Sequence, residues 1–334
     1  MVNLRHYSFG LILLAFFGTS FLFVGCDGSS PSVSGDTAAS PAGSPDATAK
    51  PRIALVMKSL ANEFFQTMES GAKRHQEESK SYELLSNGIK DEKDVTRQID
   101  LVEQMAAQGV DAIVIAPADS KALIPVLEKV RKQNIIVVNI DNRLDEAILK
   151  EKGLCIPFVG PNNRTGAEAV GNYVLDKLSS GSEVVIVEGV PNAYNGEQRK
   201  LGFEDAIKNR GMNLVASQTA NWEMSEANTL VGSMLVAHPN LKCVLAANDN
   251  MALGAVSAIA AAGKSADVIV GGFDNISAAQ NLVKEGKLAA TADQYGDKLA
   301  VFGIEYAQKL LADKNAAPAD LETTVSLVTA DSLK

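Results

Sequence analysis

Short, strongly apolar runs alternate with longer amphipathic stretches from Arg52 onward. The runs are Ile53 to Met57, Ala112 to Ile115, Ile135 to Ile140, Val184 to Val187, Leu214 to Ser217, Val244 to Ala246 and Val268 to Val270. They are rich in β-branched residues and apolar at successive positions. Such strands bury both faces, as in parallel sheets covered by helices. Between them, apolar positions recur at helical spacing over Glu63 to Gln76, Val95 to Gln108, Ala122 to Lys132, Thr165 to Leu178, Glu197 to Asn209 and Ser225 to Val236. The alternation predicts an α/β fold of βα units. It runs twice, with Gly160-Pro161 between the halves, and so predicts two similar lobes.

The first fifty residues break this rhythm. Arg5 and His6 precede an apolar run from Phe9 to Val24 that is too short, and too closely followed by polar residues, to span a membrane. It reads as a signal peptide over residues 1–25. The run ends in Leu22-Phe23-Val24-Gly25-Cys26, which resembles the bacterial lipobox, with Phe23 where Leu is usual. That resemblance implies a diacylated Cys26 holding the protein to a membrane. Residues 27–50 are mostly Ser, Pro, Ala, Gly, Thr and Asp, a composition that predicts a flexible tether, so that 26–50 is a lipidated linker.

Composition then excludes several classes. The 334-residue chain carries a net charge of -9 and a pI near 5.0, which leaves no basic face for nucleic acid or an anionic surface. No Gly-x-Gly-x-x-Gly follows the first strand, and neither a Gly-Lys-Ser/Thr loop, a His-Glu-x-x-His nor a Gly-x-Ser-x-Gly occurs. The three histidines, His6, His75 and His238, lie in unrelated contexts. No enzyme activity, cofactor or metal is therefore expected. Cys155 and Cys243 read as small core residues with no metal or redox spacing.

In open α/β sheets, ligands bind beyond the carboxyl ends of the strands. Here those positions are Lys58-Ser59-Leu60-Ala61-Asn62-Glu63-Phe64-Phe65, Asp141-Asn142-Arg143, Ala247-Asn248-Asp249-Asn250, Gly271-Gly272-Phe273-Asp274-Asn275 and Thr291-Ala292-Asp293-Gln294. Carboxylates and amides of this kind pair with vicinal hydroxyls. Asn62, Asn248 and Asp274 equally suit helix capping. Phe64 and Phe65 are adjacent, about 100° apart on a helix, so both rings cannot lie fully in the core. Trp222 is the sole tryptophan, in a loop, and suits either a lid over the core or a stacking face.

Asn62-Glu63-Phe64-Phe65, Asn248-Asp249-Asn250-Met251-Ala252-Leu253-Gly254-Ala255, Gly272-Phe273-Asp274 and Gly286-Lys287-Leu288-Ala289-Ala290-Thr291 resemble the ribose-binding family of type I periplasmic binding proteins. The likeness extends over nearly all of the chain after Pro51. It implies two Rossmann-like lobes with parallel sheets, joined by a three-crossover hinge. The expected N-terminal lobe is 51–160 plus 295–324, and the C-terminal lobe 161–294 plus 325–334. It implies a monomer that clamps a monosaccharide or sugar-like polyol and delivers it to an ABC permease with its ATPase. A co-receptor presenting the ligand to a sensor kinase or chemoreceptor has the same cleft.

Carried over by position, stacking falls to Phe64, Phe65 and Trp222, and hydroxyl binding to Asn62, Asp141, Asn248, Asp274 and Gln294. Two family arginines depart from the pattern. Asn142 follows Asp141, with Arg143 one residue late, and Glu197 falls on the second arginine position, with Arg199 two residues later. All three of Asn142, Arg143 and Glu197 are kept as candidates, and the loss of both arginines points away from ribose toward a polyol or amino sugar.

Overall fold

The computed structural model describes residues 50–313 and 315–334. The expected signal peptide, Cys26 and nearly all of the linker lie outside the described residues. A parallel six-stranded sheet contains β1 (Arg52–Ser59), β2 (Glu83–Ile89), β3 (Ala112–Ile115), β4 (Ile136–Ile140) and β5 (Phe158–Pro161). A second parallel sheet contains β6 (Glu183–Glu188), β7 (Asn213–Thr219), β8 (Leu241–Ala246) and β9 (Ile269–Gly271), in the order β7-β6-β8-β9. The short β10 (Thr291–Asp293) follows. The last strands, β11 (Leu321–Thr323) and β12 (Ser326–Val328), pair with β5 and β10 respectively, and β11 completes the first sheet in the order β11-β5-β4-β3-β1-β2.

Around the first sheet lie α1 (Glu63–Ser79), α2 (Val95–Ala107), α3 (Ile124–Arg131) and α4 (Glu146–Glu151). Around the second lie α5 (Asn163–Leu175), α6 (Tyr194–Asn209), α7 (Met224–Ala237), α8 (Asp249–Ala261) and α9 (Ser277–Lys284). The last helix, α10 (Gly296–Ala312), returns to the first sheet and packs on α1, β3 and β4. The chain thus passes between the two sheets three times: after β5, after β10 and between β11 and β12.

The continuous apolar runs have the expected cause. In β1, Ile53, Leu55 and Met57 enter a core shared with α1 and α10, while Ala54 and Val56 enter a second core shared with α2 and α3. Burial of successive residues requires a helix layer on each face. The edge strand β2, Glu-Leu-Leu-Ser-Asn-Gly-Ile, is only partly buried, which is why an apolar-run criterion passes over it. Cys243 is buried in β8, but Cys155 is exposed between α4 and β5 and is not a core residue. No helix among the described residues is long and apolar enough to cross a membrane.

In both sheets the strand order reverses beside the first strand of the unit, between β1 and β3 and between β6 and β8. Crevices open beyond the carboxyl ends of strands at such reversals. The two crevices face each other.

Candidate functional site

Between them lies a cavity of about 240 Å³ lined by Lys58, Asn62, Phe64, Phe65, Glu92 and Asp141 from the first side. Asn195, Arg199, Trp222, Asn248, Asp274 and Gln294 complete it.

Aromatic rings form the apolar walls. Phe64 and Phe65 open α1 and stand edge to face, with centroids 5.2 Å apart and both rings buried. Trp222 faces them from the loop before α7 and is also buried.

Asn62 and Asn248 combine the two roles left open by the sequence. Asn62 Oδ1 accepts from Phe64 N at 3.0 Å as the α1 cap, while its Nδ2 donates to Glu92 Oε1 at 3.4 Å. Asn248 Oδ1 accepts from Met251 N at 2.9 Å as the α8 cap, and Nδ2 donates to Trp222 O at 3.4 Å. Asp274 caps nothing, because α9 begins after Ile276. Its Oδ1 accepts from Gln294 Nε2 at 2.7 Å and from Arg199 Nη1 at 3.2 Å.

Asp141, Trp222 and Asp274 have φ values of 60°, 68° and 120°, a region that side-chain-bearing residues rarely enter. Strain of this sort collects where the surroundings fix a side chain for a task. Asp249 supplies part of that fixing. Fully buried, its carboxylate accepts from Thr291 Oγ1 at 2.8 Å and Ile276 N at 3.1 Å, pinning the turn that carries Asp274.

The cavity is rich in charge that burial makes costly. Burial pushes the Glu92 carboxyl up to about 7, against the pull of Lys58. Burial also raises the Asp274 carboxyl, opposed by Arg199. Three buried polar atoms here, Glu92 Oε2, Gln294 Oε1 and Arg199 Nη2, lack a hydrogen-bond partner among the described residues. Asp141 Oδ2 accepts no directed hydrogen bond and has only the Lys58 ammonium 2.9 Å away. Buried polar atoms are almost always paired, so this cluster describes its complement. The complement is a molecule that donates several O–H groups, accepts at least one hydrogen bond, and presents apolar faces to the rings.

Eight of the eleven sequence candidates line the cavity, and three do not. Asn142 is buried behind it, donating to Pro117 O at 2.9 Å and accepting from Asn195 N at 3.1 Å. Arg143 points away, pairing with Glu146 and with Asp320 and stacking on Phe158. Glu197 is exposed and borders a separate groove that it shares with Ser120 and Arg143. The guanidinium in the cavity belongs to Arg199, 3.8 Å above the Phe273 ring. Residues 197 and 199 lie about 200° apart on a helix, so only one can face inward. The buried stripe Asn195, Arg199, Gly202, Phe203 and Ala206 was readable from spacing and selects Arg199. Lys58, Glu92 and Asn195 are likewise additions. With Lys58 beside Asp141, the cavity holds two cations, Lys58 and Arg199, in place of the two family arginines, so their absence from positions 142 and 197 does not disfavour a ribose-like ligand.

A model of the periplasmic binding protein domain matches residues 53–315, and the chain belongs to that family. It is 55% identical over 285 residues to the D-ribose/D-allose-binding protein of Pseudomonas aeruginosa, covering 84% of this chain and 89% of the relative. Among solved structures it resembles an ABC transporter solute binding protein from Burkholderia multivorans, holding an unknown ligand represented as alpha-D-erythrofuranose. That match has a TM-score of 0.82 and 55% identity, covering 84% of this chain and 99% of the other. A periplasmic solute binding protein of an Actinobacillus succinogenes ABC transporter, with bound D-allose, gives a TM-score of 0.80 and 36% identity over 85% and 99% of the two chains.

Proposed function

We propose that this protein is the periplasmic receptor of an ABC sugar importer, closing its two lobes on one aldose, D-ribose or D-allose, without chemical change to it. The observation that carries this reading is the set of unpaired buried polar atoms between the aromatic walls of the cavity. Sugar hydroxyls donate to Glu92, Asp141 and Gln294 and accept from Arg199, while the rings cover C–H faces. D-Allose repeats the ring stereochemistry of D-ribose and adds one hydroxymethyl group, so a single site serves both. The Pseudomonas aeruginosa relative is named for these two sugars and the Actinobacillus succinogenes structure holds D-allose, which supports this choice; neither supports a co-receptor role.

In this reading the hinge comprises the three chain passages near Gly160-Pro161, Asp293 to Gly296 and Thr323 to Val328, and the ligand favours the closed form by touching both lobes. The protein acts as a monomer tethered through a lipid on Cys26, a reading that rests on the sequence around that residue. Labelling with radioactive palmitate in wild type and Cys26→Ala tests the anchor.

The sugar reading is tested by thermal unfolding of residues 50–334 with D-ribose, D-allose and their epimers. A ligand at a hundred times its Kd adds about 2.7 kcal/mol of stability. A selective shift with either sugar supports the reading, and none with any aldose overturns it.

A further inference from the structure

Five helices carry their own side-chain caps: Asn62 for α1, Asp94 for α2, Asp145 for α4, Asn162 for α5 and Asn248 for α8. Helices α6 and α9, on the second side of the cavity, do not. Ala193 precedes α6 and Ile276 precedes α9, and neither side chain can accept a hydrogen bond. The first-turn N–H groups of a helix have no partner within it and need acceptors from outside.

Those acceptors come from across the cleft. Ser120 Oγ accepts from Tyr194 N at 3.0 Å, and Asn142 Oδ1 accepts from Asn195 N at 3.1 Å. At the other end, Glu63 Oε1 accepts from Ser277 N at 2.8 Å and from the Ser277 hydroxyl. Ser120 and Asn142 follow β3 and β4, and Glu63 opens α1, so all three belong to the first side. Glu63 also brings a negative charge to the positive end of α9. The third uncapped helix of that side, α7, receives a charge contact instead, Lys93 Nζ to Glu226 at 2.9 Å.

We propose that Glu63, Ser120 and Asn142 set the affinity for the ligand without touching it, by capping α6 and α9 only when the lobes are closed. The inference rests on the two-lobe clamp reading given above. In the open form the first-turn N–H groups of both helices turn to water. Closure replaces that water with fixed acceptors and shifts the population toward the closed form before any ligand contact is counted. Asn142, which the sequence suggested as a ligand contact, therefore acts on affinity from behind the cavity wall.

The test compares wild type, Glu63→Ala, Glu63→Gln, Ser120→Ala and the double Glu63→Ala/Ser120→Ala, by calorimetric titration with D-ribose and D-allose and by melting of the empty proteins. Loss of a cap of ordinary strength weakens affinity by about three- to tenfold per site. The sites are separate, so the double variant loses the product of the two factors. Glu63→Gln keeps an acceptor and retains part of the affinity. The Tm of the empty protein changes little in each, because the caps are absent from the open form. Wild-type affinity in both single variants overturns the inference, as does an affinity loss matched by an equal loss of stability in the empty protein. Failure of the wild type to bind either sugar overturns the clamp reading itself, and this inference with it.

Discussion

Lys58 Nζ stands 2.9 Å from Asp141 Oδ2, with both side chains almost wholly buried. The ammonium also lies 5.8 Å from the centroids of both Phe65 and Trp222. A buried pair of this kind adds little net stability, yet removing one partner leaves an uncompensated charge and costs about 3–5 kcal/mol. Lys58→Met should therefore lower the Tm of the empty protein and abolish measurable sugar binding. The double variant Lys58→Met/Asp141→Asn should recover most of the stability but none of the binding. Recovery of both would make the pair structural.

Glu92 makes the site sensitive to pH. Its carboxyl is raised from 4.5 to about 7 by burial, so between those values the folded protein holds a proton that the unfolded chain has lost. Its contribution to the stability of this closed geometry is full below about 4.5 and is lost as pH rises toward 7. Glu92→Gln should gain Tm relative to wild type over that interval. Sugar hydroxyls donating to Glu92 favour its charged form, so binding releases a proton and affinity rises with pH up to about 7. Calorimetry in buffers of different ionisation enthalpy measures the proton release. A pH-independent affinity would remove Glu92 from the contact set.

Much of this was legible in the sequence, because buried strands and aromatic-amide strand ends leave strong local patterns. The residues that escaped did so for physical reasons. Lys58 ends the apolar run of β1, where a charge normally marks the chain reaching water. Glu92 sits in Lys90-Asp91-Glu92-Lys93-Asp94, which reads as a solvated loop, and only the tertiary contact with Asn62 shows that it is buried. Arg143 and Glu197 fall beside or at family positions, but a positional match does not carry the face of the element: Arg143 turns to Asp320 and Phe158, and Glu197 is exposed. Asn142 shows the converse: a polar residue at a strand end whose partner is the facing lobe.

Trp222 is held by two glycines. A Cβ on Gly189 would come within 2.1 Å of the indole, and one on Gly196 within 3.0 Å. A rigid indole cannot remain so close to a new carbon and must shift from its present position. Gly189→Ala should therefore weaken sugar binding by tenfold or more although residue 189 does not line the cavity, and intrinsic fluorescence from this single tryptophan should lose its response to D-ribose or D-allose. Near-native affinity would show that the ring has room to retreat and that its position is not critical.

The sharpest discrimination lies on α6, between two residues half a helical turn apart. Arg199 Nε donates to Asn163 Oδ1 at 2.9 Å, Nη1 donates to Ala247 O at 2.9 Å and to Asp274, and Nη2 remains free in the cavity. The planar fork makes these contacts together, and an ammonium cannot replace it. Arg199→Lys keeps the charge beside Asp274 but loses the free donor. A hydrogen bond from a charged group contributes about 1.5–3 kcal/mol, so affinity should fall by about ten- to a hundredfold. Glu197, on the solvent face of the same helix, should tolerate Ala with less than about a twofold change, as surface substitutions usually do. The reverse ranking would place Glu197 in the cavity and restore the inference that the site selects amino sugars. Titration of both variants with D-ribose, D-allose and an amino sugar decides between these outcomes.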